Sequence, residues 1–143
     1  MRVETNKKLA AEFFGKLSTN DLTGAFAMIG EDAVWWVSGG DFFPFSGTKT
    51  KAEFVKITSG ILSVFPKGLT LAPNGLVVEG DAVAVEIEGH GITTKGRTYD
   101  NIYLFLLKFK NGKIVAAKEY MDTLYAKVTP GRRMMPTVFQ VHG

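Results

Sequence analysis

Between Ala82 and Ile92 the ionisable groups fall on every second position: Ala82, Ala84, Glu86, Glu88 and His90 would share one face of a strand, with Val83, Val85 and Ile87 on the other. Successive carboxylates on such a face stand about 6.8 Å apart along the strand. A further glutamate, Glu119, shares a face with Val115, Ala117 and Met121 in the last run of this kind. If Glu119 faces the same cavity as Glu88, the two form a carboxylate pair. Burial and like charge then raise one pKa, as general acid/base chemistry near neutral pH requires. The competing interpretation is a solvated polar face opposite a core face, and the segment alone leaves both open.

The run between these two supplies the polar partners. Tyr99, Asn101, Tyr103 and Phe105 point one way, while Ile102, Leu104 and Leu106 point the other. Tyr99, Asn101 and Tyr103 could orient a carbonyl or hydroxyl of a ligand. Phe14 and Trp35 would supply apolar walls, and Glu86, His90 and Phe105 complete the candidate ligand-binding set. Trp35 and Trp36 are adjacent and face opposite ways in a strand, so at most one lines a pocket. Because both faces of the 99–106 run are largely apolar, the sheet centre should be covered twice. Helices would cover one side and a second copy of the chain the other, which makes a homodimer the expected assembly.

The elements that must position these residues read as helices first and strands afterwards. Thr5 is placed to cap a helix in which Leu9, Ala10, Phe13, Phe14 and Leu17 recur at helical spacing. Leu22, Phe26 and Ile29 mark a second, short helix, Ala33 to Val37 a strand, and Gly39 to Gly47 a loop. Phe54, Ile57, Ile61, Leu62 and Phe65 return to helical spacing before Pro66. Period-two alternation then predicts a meander of strands over Leu69–Val78, Ala82–Ile92, Arg97–Lys110 and Lys113–Tyr125, turning at Gly80-Asp81, Lys95-Gly96 and Asn111-Gly112. This is the α+β pattern, with three N-terminal helices on a strongly curved antiparallel sheet. The segment 128–143 has Pro130, Gly131 and Pro136 among Met134, Met135, Val138 and Phe139. It reads either as a loosely ordered tail or as an arm on the pocket mouth or the partner subunit.

Composition narrows the function classes. A chain of 143 residues with 45% hydrophobic and 22% charged residues suits one globular core, taken here as a domain over 1–127 followed by the tail. Net charge is +3, but only Lys7-Lys8 and Arg132-Arg133 are adjacent basic pairs, so no basic stripe marks a nucleic-acid partner. With no cysteine, disulfides and thiolate chemistry are excluded. No apolar run approaches the ~20 residues of a membrane span, and Met1 to Glu4 opens no signal-peptide core, so a cytoplasmic protein with no membrane partner is expected. There is no phosphate loop or dinucleotide fingerprint, and two histidines do not make a dedicated metal site. Neither Ser38 nor Ser46 has nucleophile-elbow context.

Taken together, Trp35-Trp36, Ser46-Gly47, Glu79-Gly80-Asp81, Gly96-Arg97-Thr98-Tyr99-Asp100-Asn101, Gly112-Lys113-Ile114 and Glu119-Tyr120-Met121-Asp122-Thr123 resemble the SnoaL-like, ketosteroid-isomerase-related branch of the nuclear-transport-factor-2-like superfamily. The resemblance runs from about Thr5 to Leu124. It implies a cone-shaped, cystatin-like fold with a hydrophobic pocket and pairing through the sheet. It also implies a choice among isomerases, polyketide cyclases, dehydratases, epoxide hydrolases and plain binding modules, which fold alone does not make. The tyrosine and two aspartates of steroid isomerases fall at Phe14, near Val37 and near Phe105, so that mechanism is not expected here. The two aspartates of limonene-epoxide-hydrolase relatives fall at Glu88 and Glu119, but their bridging arginine falls at Glu86 and their water-orienting pair at Trp35 and Val37. The expected function is a cofactor-independent small-molecule enzyme. Glu88 and Glu119 would serve as acid and base for isomerisation, cyclisation, dehydration or hydration of a hydrophobic substrate. The alternative is a non-catalytic binding or dimeric interaction module for a small apolar ligand.

Overall fold

The computed structural model describes residues 2–128. Two helices, α1 (Arg2–Ser18) and α2 (Leu22–Ala27), precede strand β1 (Ile29–Val37). A short 3-10 turn (Gly40–Phe42) and strand β2 (Gly47–Thr50) lead into α3 (Lys51–Leu62). Strands β3 (Thr70–Glu79), β4 (Ala82–Ile92), β5 (Thr98–Lys110) and β6 (Lys113–Met121) follow, and α4 (Thr123–Val128) ends the described chain. The six strands form one curved, open sheet in the order β2-β1-β6-β5-β4-β3. Neighbours are antiparallel except β1 and β6, which run parallel, so the sheet is mixed rather than wholly antiparallel.

The α+β architecture therefore stands as read from the sequence, with differences at particular elements. Thr5 lies inside α1 rather than capping it. Ile29 opens β1 rather than closing α2, because Ile29 pairs with Ile114 of β6 and is buried there. Gly47, the last residue of the expected 39–47 loop, opens β2, a four-residue edge strand whose GTKT sequence has too few apolar residues to show alternation. The last strand stops at Met121, where Asp122 caps α4 by accepting a hydrogen bond from the Tyr125 amide at 2.9 Å. The segment 129–143, and with it the proposed arm, lies outside the described residues.

Helix α1 buries Ala10, Phe13, Phe14 and Leu17, spaced three and four apart, against the inner face of the sheet. Helix α3 starts with a capping box, in which the Thr50 hydroxyl accepts from the Glu53 amide and the Glu53 carboxylate accepts from the Thr50 amide. It lays Phe54 and Leu62 on the same core. From the sheet, Val83, Val85 and Ile87 of β4 and Tyr99, Tyr103, Phe105 and Leu107 of β5 point inward and are buried. Gly89 continues this inward row: a Cβ there would stand 2.9 Å from Cε1 of Tyr103. The missing side chain is what lets the Tyr103 ring lie flat across β4.

One turn and one bulge of the backbone decide which side chains reach the interior. At the β5–β6 hairpin Asn111 and Gly112 both have positive φ, at 51° and 77°, as the Asn-Gly turn signal requires. Lys110 then pairs with Lys113 and Phe109 with Ile114, but Lys108 pairs with Ala116, so Val115 is an extra residue on β6. This bulge puts Ile114 and Ala117 on the same inner face, whereas strict alternation from the sequence grouped Val115 with Ala117.

Candidate functional site

The bulge aims Glu119. Continued unbroken from the hairpin, the register would set Glu119 opposite Leu104, which pairs with Glu86 on the outer face. With one residue inserted, Glu119 instead pairs with Phe105, and Phe105 with Val85, both on the inner face. Cross-strand partners point to the same side of a sheet, so Glu119 enters the core while Glu86 and Glu88 stay outside.

This overturns the expected carboxylate pair. Glu88, Glu86 and His90 lie on the face opposite Glu119 and cannot share a cavity with it. Glu86 is exposed and accepts a hydrogen bond from Asn74 at 3.2 Å. His90 is exposed as well, 2.7 Å from Asp100 through Nδ1 and 3.6 Å from Glu88 through Nε2. Its hydrogen bond to Asp100 raises its pKa, with the nearby Glu88 charge adding to the effect.

Inside, a cavity of about 90 Å³ lies between the sheet, α1 and α3. Its walls are Phe13, Leu17, Trp35, Val37, Phe54, Leu69, Leu71 and Phe105, and its rim includes half-buried Ile57, Thr58 and Ile61 of α3. Phe43, Phe45 and Leu62 add to the apolar surface, and Tyr99, Tyr103, Glu119, Met121, Ala126 and Lys49 complete the lining. Of the residues expected from sequence, Trp35, Tyr99, Tyr103, Phe105 and Glu119 thus meet around one space. Phe14 stands behind the wall, its ring 4.8 Å from that of Phe105. Asn101 is buried behind the tyrosines.

Glu119 is held by one contact: the Trp35 indole N–H donates to Oε1 at 2.9 Å. Trp35 is itself fixed by stacking on Phe54, with ring centroids 3.8 Å apart. Oε2 has no hydrogen-bond partner among the described residues, yet it is not a sealed-in orphan, and the accessible part of the residue faces the cavity. Burial pushes the carboxyl up to about 7, and the indole hydrogen bond pulls back only part of the way. A carboxyl in that range holds comparable populations of acid and base at neutral pH.

A second polar chain runs along β5. The Asn101 carbonyl accepts from the Ile102 amide at 2.8 Å, which fixes the amide so that its NH₂ donates to the Tyr99 hydroxyl at 2.8 Å and to the Asp122 carbonyl at 3.3 Å. Tyr99 and Tyr103 hydroxyls are 2.7 Å apart. Either hydroxyl can donate in this pair, and the Tyr99 oxygen already accepts from Asn101. Burial raises Tyr99 to about 12 and Tyr103 well above the usual phenol value, so both remain hydrogen-bond donors at any physiological pH.

Sequence reasoning missed Lys49, because residues 48–50 lay between the expected loop and helix and were assigned to no element, and Phe13 and Leu17 as wall residues, because a helix repeat alone does not tell core from lining. Among the described residues no group of three or more His, Cys, Asp or Glu side chains could hold a metal ion. Nor is any described helix long and apolar enough to cross a membrane.

The sequence profile of the SnoaL-like domain matches residues 10–117. A comparison with curated protein sequences gives no match. Among solved structures, AclR from Streptomyces galilaeus, a proposed hydroxylase, superposes with a TM-score of 0.74 at 21% identity, covering 87% of this chain and 96% of its own. IdmH from Streptomyces antibioticus, a proposed polyketide cyclase, gives 0.71 at 20% identity over 85% and 96%. PrhC from Penicillium brasilianum gives 0.77 at 16% identity over 89% and 86%. At such identities these likenesses speak for the fold alone, while the profile match spans most of the chain. The chain belongs to the SnoaL-like family, on the nuclear-transport-factor-2-like fold.

Proposed function

We propose that the protein is a small-molecule enzyme that moves a proton on a hydrophobic substrate, with Glu119 as the acid/base group. The observation that carries this is a carboxyl with one oxygen tied to Trp35, the other open to an apolar cavity, and a pKa raised to about 7 by burial. In its ionised form Glu119 takes a proton from a carbon next to a carbonyl; in its neutral form it returns a proton to a neighbouring carbon or to a leaving hydroxyl. The Tyr103 hydroxyl, backed by Tyr99 and Asn101, donates to the substrate oxygen on which negative charge develops. Phe13, Trp35, Phe54 and Phe105 hold the carbon skeleton and keep water away from the reacting carbon. Isomerisation, cyclisation and dehydration all use this step, and a single carboxyl suffices if it both removes and returns the proton.

The test is hydrogen exchange. A panel of small cyclic ketones is incubated with the protein in D₂O and read by mass spectrometry. Wild type should catalyse exchange next to the carbonyl, and Glu119→Gln should lose about 100-fold or more of that rate. Binding of the same ketones with no exchange above background would instead establish a binding module.

The outer face supports a homodimer. Val34 of β1, Ile102 and Leu104 of β5 and Tyr120 of β6 are exposed on this face, Leu104 and Tyr120 as cross-strand partners. The Trp36 ring packs edge-on to Tyr120 at 5.2 Å between them. Lys108 and Lys118 flank this band toward one end, and Glu86, Glu88 and Asp100 toward the other. A two-fold axis through the band brings the basic end of one copy over the acidic end of the next.

A further inference from the structure

Lys49 is the charged side chain of the cavity lining that the proton-transfer reading leaves unused. β2 pairs with β1 so that Lys49 lies opposite Trp35 and Gly47 opposite Val37, which sets Lys49 on the inner face beside the indole. The residue is half-buried at the cavity rim. Its ammonium folds back over the turn before β2, donating to the Ser46 carbonyl at 2.8 Å and standing 3.9 Å from where a Cβ on Gly47 would lie. That is one of three N–H donors, and the others have no protein acceptor among the described residues. Lys16 and Lys51, by contrast, are spent on Glu12 and Asp21 and on Glu31. Glu53, in the first turn of α3, feels Lys49 only as the smallest of the influences on its pKa.

The two charged ends of the cavity are separate. Burial and the Trp35 hydrogen bond account for the state of Glu119, with no part played by Lys49. β1 lies between β2 and β6, which sets those strands roughly 10 Å apart. The space thus has a cation at its rim, a carboxyl and a phenol at depth, and hydrocarbon between them.

We propose that the ligand is an amphipathic carboxylate: an apolar body reaching toward Glu119 and Tyr103, and a carboxylate at the rim gripped by the Lys49 ammonium. The cavity is smaller than the ~150 Å³ space that accepts a benzene ring, so it takes a short chain, or a single ring if Ile57 and Ile61 shift. The remainder of the molecule, carrying the charge, emerges beside Lys49. This inference rests on the cavity being the small-molecule site proposed above.

The test compares octanoate with 1-octanol, which share a hydrocarbon tail and differ in charge, by calorimetric titration at pH 8 in low salt. At that pH Glu119 is largely ionised and repels a carboxylate placed deep, so a preference for octanoate has to arise at the rim. Wild type should bind octanoate about tenfold more tightly than 1-octanol. Lys49→Met should bring the two together while leaving the affinity for 1-octanol within about twofold, and Lys49→Arg should keep the preference. Equal affinities in wild type, or a preference that survives in Lys49→Met, would overturn the carboxylate assignment and leave the proton-transfer proposal standing. Failure of wild type to bind either compound would overturn the amphipathic-ligand assignment, while the ketone exchange decides the proton-transfer proposal separately. The wild-type comparison needs no variant to fold.

Discussion

Glu119 is costly to the fold in its ionised form, and that cost is measurable. The unfolded chain gives up this proton near 4.5, whereas the folded protein holds it until about 7. Between those values the folded state binds more protons, so stability falls as pH rises from 4.5 to 7 and is level beyond. A shift of this size corresponds to roughly 3 kcal/mol. Glu119→Gln should therefore unfold at higher denaturant than wild type at pH 8, by about 2–3 kcal/mol, and within about 1 kcal/mol of it at pH 5. Chemical denaturation at the two pH values decides the matter. Equal differences at both would mean that Glu119 ionises as easily folded as unfolded. At this scale the sequence was half legible. Residue types picked out Glu119, Trp35, Tyr99, Tyr103 and Phe105, but the partner assigned to Glu119 was wrong. Its actual partner, the Trp35 indole, comes from a strand 84 positions away and had been assigned only to the apolar wall.

Facing belongs to the elements, and one inserted residue controls it. A hairpin turn read from Asn111-Gly112 fixes the register at the turn, but Val115 resets it before the strand reaches Glu119. Nothing in the Val115-Ala116-Ala117 sequence announces a bulge, since all three residues are apolar and suit either face. Alternation therefore found the faces of β4 and β5, which carry no shift where they pair, and could not establish which of them β6 presents Glu119 to. Gly89 is the complementary device on β4. A methyl group there meets the Tyr103 ring at 2.9 Å, so Gly89→Ala should force the ring aside and destabilise the protein by about 1–3 kcal/mol. Denaturant unfolding checks the cost. Loss of the Tyr99–Tyr103 hydrogen bond should appear in the same variant as a changed tyrosine absorbance in the ultraviolet. An unperturbed, fully stable variant would show that the backbone yields there without disturbing the site.

For the whole molecule, helical and period-two spacing were enough to give three helices on a curved sheet, because long amphipathic elements state their own period. The parallel pairing of β1 with β6 was not legible: its partners are far apart in the chain, and a crossover has no local turn signal. One face of the sheet is spent on the core and cavity, and the other displays Ile102 and Leu104 to solvent in a single chain. An apolar band of this kind on a folded domain marks a contact surface. Sedimentation should accordingly find twice the chain mass, and Leu104→Lys should shift the protein toward monomer while sparing the cavity on the far side. A wild-type monomer at tens of micromolar would remove the dimer proposal without touching the site.

The proposed chemistry requires the Glu119 carboxyl to titrate near neutrality inside an apolar cavity. The most direct measurement is a nuclear magnetic resonance titration of the glutamate side-chain carboxyl carbons in wild type and in Glu119→Gln. One carboxyl resonance, absent from the variant, should titrate with a midpoint of about 7. A Glu119 midpoint below 5 would contradict the account, leaving a permanently ionised group with no capacity to hold and return a proton at neutral pH.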